Sequence, residues 1–142
     1  MSDKQPVLLV EDDIGLLQLY ELILGHAGFA VATARSGNHA LEILEGLRPE
    51  VIISDLMMPD MDGAELCQRI KANTEWASIP FMVLTASSDQ KRLQNVLECG
   101  ASRIISKPIR PTMLADIVRD AVGNGNGGLS QDRGSWREAA NF

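Results

Sequence analysis

This sequence of 142 residues has only two cysteines, no long apolar run and no excess of basic residues. The only two cysteines, Cys67 and Cys99, are too few for a disulfide framework and favour buried thiols in a reducing, cytoplasmic setting. No apolar run approaches the ~18 residues that a membrane-spanning helix needs, so no membrane association is expected. Residues 1–6 lead directly into a strand-like run, and we expect no signal peptide.

The charge balance is acidic, with 13 Lys and Arg against 19 Asp and Glu and a net charge of −6. An acidic surface repels phosphate backbones, so direct binding of nucleic acid is not expected. A G-x-G-x-x-G or Walker-type loop is also missing after the first strand-like run, which argues against a nucleotide-binding domain.

Length and composition suit one folded domain. The chain is 45% hydrophobic and 23% charged, as in ordinary globular proteins. Such a domain buries roughly two-thirds of its unfolded surface and needs no disulfide or metal to fold. The run GNGNGG from residue 123 favours a flexible linker. We therefore predict a folded domain over residues 1–122 and a linker and tail over 123–142, with a docking segment or a link to a further domain as alternatives for the tail.

Apolar β-rich runs alternate with segments whose apolar residues recur every three to four positions. The first, third and fourth runs are almost continuously apolar, which is typical of strands covered on both faces of a parallel sheet. Five βα units in succession predict a doubly wound α/β fold with right-handed crossovers, whose site lies at the carboxyl ends of the strands. The predicted strands are 7–10, 29–33, 51–54, 81–84 and 103–106.

The helical segments carry apolar stripes that we expect to face the sheet. Ile14 is placed in or near the first stripe, and Leu97 lies in the fourth. Ser36 and Asp62 are expected to cap the second and third helices. Met57, in the loop after the third strand, is expected to pack locally.

Polar residues occupy the positions just after four of the five strands. They are the acidic run Glu11–Asp13, then Asp55, Thr85 and Lys107. Taken singly, each has a plain alternative as a helix cap, a loop carboxylate, a turn residue or a surface charge. Taken together at the same edge of a parallel sheet, they are best explained by one shared site.

The residue types at this edge indicate phosphoryl chemistry. Carboxylates that converge within a few ångströms stay ionised only if a cation joins them, and oxygen ligands suit Mg²⁺. Lys107 supplies a fixed positive charge, and the Thr85 hydroxyl can donate to a phosphoryl oxygen. Asp55 is then the candidate nucleophile, forming an aspartyl-phosphate.

Four segments carry a resemblance to a known family: 8–13 (LLVEDD), 53–63 (ISDLMMPDMDG), 84–86 (LTA) and 106–108 (SKP). With these the chain resembles, over roughly residues 6–122, the receiver domain of two-component response regulators, including the chemotaxis regulators. The resemblance implies a flavodoxin-like (βα)5 fold with a five-stranded parallel sheet in the order 2-1-3-4-5.

The resemblance also implies a metal site and a strand-end geometry. Glu11, Asp12 and Asp55, with the backbone carbonyl of Met57, are implied to bind Mg²⁺, for which Mn²⁺ could substitute. The bond between Lys107 and Pro108 is implied to be cis.

A partner is implied as the source of the phosphoryl group. A sensor histidine kinase or a histidine phosphotransfer protein would present phosphohistidine, and Asp55 would accept the group with help from Lys107 and Thr85. Thr85, Ala86 and Ile104 are the implied switch positions. Ile104 departs from the family, which usually has Tyr or Phe there, and this places the usual readout in question.

The function predicted is a phosphorylation-switched signalling domain, acting as a monomer or a phosphorylation-dependent dimer on an unidentified protein target. It would not be an enzyme beyond self-phosphorylation and weak autophosphatase chemistry. Met57 and Ser87 flank the site and carry no carboxylate or amide, so slow to moderate self-dephosphorylation is expected. A small phosphatase with an aspartyl-phosphate intermediate and a receiver that is never phosphorylated remain as alternatives.

Overall fold

The protein, analysed as a computed structural model, is described over residues 6–123. Five strands alternate with five helices along the chain. All strand pairs are parallel, and the sheet order is β2-β1-β3-β4-β5. The elements are β1 Pro6–Val10, α1 Ile14–His26, β2 Ala30–Ala34, α2 Gly37–Leu44, β3 Val51–Ser54, α3 Gly63–Lys71, β4 Phe81–Thr85, α4 Gln90–Glu98, β5 Arg103–Ser106 and α5 Pro111–Gly123.

The hydrophobic core lies on both faces of the sheet because successive side chains of a strand point in opposite directions. In β1, Leu8 and Val10 pack in one cluster with α2, α3 and α4, whereas Val7 and Leu9 pack in the other with α1 and α5. This explains the continuous apolar runs in the central strands, since both sets of side chains are buried.

Side-chain caps begin four of the helices and support the predicted boundaries. Ser36 Oγ accepts a hydrogen bond from the His39 amide at α2, and Asp62 caps α3 as predicted. The side chains of Asp13 and Asp89 likewise accept hydrogen bonds from backbone amides at the start of α1 and α4. Each cap satisfies an amide that the helix itself leaves without a partner.

Four expectations about burial were wrong. Ile14, Met57 and Leu97 are 49%, 46% and 40% exposed, and Cys99 is only partly buried. Ile14 is the first residue of α1, and Cys99 is the C-terminal cap of α4. In α4 the single residue Val96 is fully buried, so the contact stripe is narrower than the apolar pattern indicated.

No helix among residues 6–123 is long and apolar enough to cross a membrane. Gly123, the first residue of the predicted linker and tail over 123–142, is the last residue of α5. The rest of that segment lies outside the described residues, so the domain boundary stays a prediction.

Candidate strand-end phosphoryl and metal site

Strand register brings the predicted site residues together. Val10 of β1 pairs with Ser54 of β3, so Glu11 and Asp55 leave adjacent strands at the same level. The Asp55 amide donates to the Val10 carbonyl at 2.9 Å, which fixes the start of that loop. At the edge of the sheet, Thr85 of β4 pairs with Ser106 of β5, and the Lys107 amide donates to the Thr85 carbonyl at 2.9 Å.

Three carboxylates form a compact group at this edge. Oxygen atoms of Glu11, Asp12 and Asp55 all lie within 4.8 Å of one another. Glu11 is buried, while Asp12 and Asp55 are partly exposed. The pocket therefore has a buried wall and an open side through which a small ion or a phosphoryl donor can enter.

Lys107 lies against this group and partly balances it. Its Nζ donates to Glu11 Oε1 at 2.8 Å and lies 3.6 Å from Asp55 Oδ2. Three carboxylates and one ammonium leave a formal charge of −2, which a divalent cation would neutralise. All-oxygen ligands with room for water are those that Mg²⁺ prefers, so the residues fit that ion.

Burial and neighbouring charges shift the pKa values of Glu11 and Lys107, the innermost pair of the site. Burial, with the charge of Asp55, raises the pKa of Glu11 above its usual value, although the hydrogen bond from Lys107 opposes this. The same hydrogen bond and the nearby carboxylates raise the pKa of Lys107 and outweigh the opposing effect of its burial. Lys107 is thus held as a cation beside Asp55.

The loop that carries Asp55 is held by the first residue of α3. Gly63 donates its amide to the Leu56 carbonyl at 2.8 Å. A Cβ atom on Gly63 would lie 2.6 Å from the Asp55 carbonyl oxygen and 2.9 Å from Leu56 Cα. Only glycine allows this approach, so the site depends on a residue that the strand-end pattern alone did not single out.

Met57 and Ser87 flank the site as the sequence indicated. The Met57 amide is 3.4 Å from Asp55 Oδ1, and its side chain faces solvent. Ser87 donates its amide to Thr85 Oγ1 at 3.1 Å, which orients a hydroxyl that is otherwise buried. Ala86, between Thr85 and Ser87 in sequence, is exposed.

The bond between Lys107 and Pro108 is cis, as the family resemblance implied.

Tyr20 of α1 is a nearby residue that the sequence did not point to. Its ring is buried, and burial raises the pKa of its hydroxyl. The charges of Lys107 and Glu11 also act on it, which places it near the site. Its spacing from Leu17 and Leu24 on the buried stripe of α1 is the only sequence signal of this position.

Ile104 lines a groove between α4 and β5. The groove has a volume of about 490 Å³, and its apolar wall is formed by Leu93, Leu97 and Ile104. Leu97 is therefore exposed because it lines this groove rather than the core.

The family model for the response regulator receiver domain matches residues 7–119. The chain belongs to the response regulator receiver family. A curated relative, the DNA-binding response regulator MtrA of Mycobacterium tuberculosis (strain H37Rv), is 34% identical over 116 residues, which are 82% of this chain and 50% of MtrA. The chain thus spans about half the length of the curated relatives it matches.

Solved receiver domains share the fold. The receiver domain of a histidine kinase from Syntrophus aciditrophicus is 34% identical with a TM-score of 0.81, covering 89% of this chain and 96% of that one. The receiver domain of a sensor histidine kinase from Pseudomonas aeruginosa PAO1, which holds a magnesium ion in its active-site cleft, is 28% identical with a TM-score of 0.79, covering 85% and 99%.

Family membership sets the class of function. Receiver domains are signalling switches of two-component systems, and the acidic pocket that this role uses is present in the chain. The flavodoxin-like fold and the strand order are confirmed.

Proposed function

We propose that this receiver domain accepts a phosphoryl group on Asp55 from the phosphohistidine of a sensor histidine kinase or a histidine phosphotransfer protein. The observation that carries the proposal is the position of Asp55, which shares a pocket with two further carboxylates and lies 3.6 Å from the Lys107 ammonium. A carboxylate beside a fixed cation and a divalent-ion site is suited to attack phosphorus.

The proposed transfer is an in-line displacement. An Asp55 carboxylate oxygen attacks phosphorus, the bond from phosphorus to the histidine nitrogen breaks, and the imidazole leaves with the electron pair. Lys107 stabilises negative charge on the phosphoryl oxygens, and the Thr85 hydroxyl donates to one of them. The exposed, small Ala86 leaves the partner room to approach.

We assign the Mg²⁺ ligands to Glu11, Asp12, Asp55 and the backbone carbonyl of Met57, with Mn²⁺ as a substitute. The bound ion would neutralise charge on the carboxylates and on the transferred group. The charge of −2 in the pocket and the magnesium ion held by the Pseudomonas receiver support this assignment.

For the output we propose a change at the groove between α4 and β5. Thr85 and Ile104 lie on neighbouring strands, because Val83 of β4 pairs with Ile104 of β5. A movement of Thr85 toward a phosphoryl group would reach Ile104 through this strand pair. The Ile104 side chain can change its rotamer but has no aromatic ring to turn inward. The altered surface would therefore be the apolar wall of the groove.

The partner is an unidentified protein, and the receiver acts as a monomer or a phosphorylation-dependent dimer. MtrA is a DNA-binding regulator of which this chain matches 50%, so a DNA-binding output would belong to a part of such a protein that this chain does not match. For the acidic receiver itself we propose no direct contact with nucleic acid. The cytoplasmic location and the receiver boundary at residue 122 stay predictions.

The proposal is tested by acetyl phosphate and Mg²⁺ with intact-mass spectrometry. We expect the chain to gain one phosphoryl group and Asp55→Asn to gain none. Asp60→Asn is the matched control, since Asp60 is an exposed carboxylate in the same loop with a φ of 69° that asparagine tolerates. Equal labelling of all three proteins would refute Asp55 as acceptor, and turnover of many donor equivalents would favour the phosphatase alternative.

Once formed, the acyl phosphate should be lost slowly. Met57 and Ser87 offer no carboxylate or amide to activate water, so we expect a lifetime well beyond seconds. Following the phosphorylated mass after removal of acetyl phosphate measures this directly. Complete loss within seconds would contradict the proposed role of these two positions.

A further inference from the structure

The two cysteines, separated by a whole strand and helix in sequence, meet where α3 packs against the end of α4. Cys67 lies in the middle of α3, and Cys99 is the C-terminal cap of α4. Cys67 Sγ is 3.5 Å from the Cys99 carbonyl oxygen. Both thiols are free, and both side chains pack in the same core cluster.

A second contact, one helical turn along α3, confirms how tightly these segments pack. A Cβ atom on Gly100 would lie 2.8 Å from Lys71 Cγ. Gly100 has a φ of 116°, so it turns the chain sharply at the end of α4. Residues 67 and 71 of α3 therefore both contact the turn at residues 99–100, and the two sulfur-bearing side chains are held on facing segments.

The two cysteines differ in their exposure to solvent. Cys67 is fully buried, whereas Cys99 is partly exposed. Burial raises the pKa of Cys67 to about 11, so its thiol is protonated at neutral pH and is shielded from external reagents. An oxidant from solution would consequently meet Cys99 first and leave Cys67 as the neighbouring thiol.

We propose that Cys67 and Cys99 form an oxidant-responsive thiol pair that reacts with hydrogen peroxide and closes into an intramolecular disulfide. The Cys99 thiolate attacks a peroxide oxygen, the O–O bond breaks, and the departing hydroxide takes a proton to give water. The Cys67 sulfur then attacks the resulting sulfenic acid, the S–O bond breaks, and the leaving hydroxide takes the Cys67 proton. Two thiols are oxidised to one disulfide, and one peroxide is reduced to two waters.

The disulfide would tie α4 to α3 at a place where α4 is weakly held. Val96 is the one fully buried residue of α4. A covalent bond at residue 99 would restrict this helix, which also forms one wall of the groove that contains Leu93 and Leu97. Amide hydrogen exchange in α4 should therefore become slower in the oxidised protein.

The test is stoichiometric hydrogen peroxide on the full chain, followed by intact-mass and peptide analysis. Because the chain has only two cysteines, an internal disulfide can join only this pair. We expect a monomer that has lost two hydrogen atoms, a peptide cross-link between residues 67 and 99, and full reversal by dithiothreitol. Cys99→Ser, at a partly exposed site, should fold and show no such loss.

Three results would overturn the proposal. They are disulfide-linked dimers, oxygen addition at Cys99 without cross-linking, and two thiols that still react with an alkylating reagent in denaturant after oxidation. Each can be observed on the unmodified sequence, so the test does not depend on a variant at the buried Cys67. An unchanged exchange rate in α4 of the cross-linked protein would overturn the proposed restriction of that helix.

Discussion

At the scale of single residues, the site depends on contacts that exclude even one extra carbon. Gly63 begins α3 directly under the loop of Asp55, and the atoms nearest to its missing Cβ are backbone atoms. Backbone cannot turn aside as a flexible side chain can. The position of Asp55 is therefore set by packing from below as well as by the pairing of β1 with β3.

Replacing Gly63 with alanine should lower the free energy of unfolding by about 1–3 kcal/mol, because the added methyl group must displace the Asp55 and Leu56 backbone. Gly25→Ala is the matched control, since a Cβ on that glycine of α1 meets no atom within 4 Å. The control should be neutral or more stable by about 0.5–1 kcal/mol. Urea denaturation measures both, and equal effects would contradict the packing argument.

At the scale of elements, the order and type of every helix and strand followed from hydrophobic periodicity and helix caps. Ser36 and Asp62 cap the helices for which they were proposed. The orientation of α4 was harder to predict, because Leu93, Val96 and Leu97 all fit one apolar stripe. Only the packed structure separates Val96 in the core from Leu97 in the groove, since the stripe is wider than the contact.

The difference between Val96 and Leu97 can be measured. Val96→Ala should destabilise the fold by about 1–3 kcal/mol, because it leaves a cavity beneath α4. Leu97→Ala removes a larger side chain, yet it should cost less than about 1 kcal/mol because that side chain is 40% exposed. Thermal or urea unfolding gives both values. A greater loss from Leu97→Ala would mean that α4 is rotated relative to this structure.

At the scale of the whole molecule, part of the acidic charge of the chain is concentrated in one pocket. Glu11, Asp12 and Asp55 come from two separate stretches of sequence and converge because β1 and β3 are neighbours. The sequence placed these residues at strand ends, and the family resemblance supplied the sheet order. Neither periodicity nor composition could give the contact of Lys107 with Glu11, which depends on side-chain packing across the whole sheet.

Such a convergence would couple binding of the proposed Mg²⁺ ion to folding. Mg²⁺ should raise the free energy of unfolding by about 2.7 kcal/mol at a concentration 100 times its dissociation constant, because only the folded chain holds the ligands together. Asp12→Asn should be more stable than the wild type without Mg²⁺, since it removes one repelling carboxylate, and should gain little from the ion. Thermal unfolding with and without Mg²⁺ measures both effects.

Asp13→Asn is the matched control for this comparison. Asp13 caps α1 through the Leu16 amide, and asparagine caps a helix about equally well. It should therefore respond to Mg²⁺ like the wild type. An equal response of all three proteins would show that the ion acts through general screening rather than through the pocket.

The central claim is that Asp55 carries the phosphoryl group. Borohydride reduces an acyl phosphate and converts an aspartate that bore it into homoserine, so peptide mass spectrometry of the reduced protein locates the acceptor directly. After loading with acetyl phosphate and Mg²⁺, homoserine should appear at position 55 and nowhere else. Homoserine at position 12, 13 or 60, or at no position in a protein that had gained a phosphoryl group, would contradict the account.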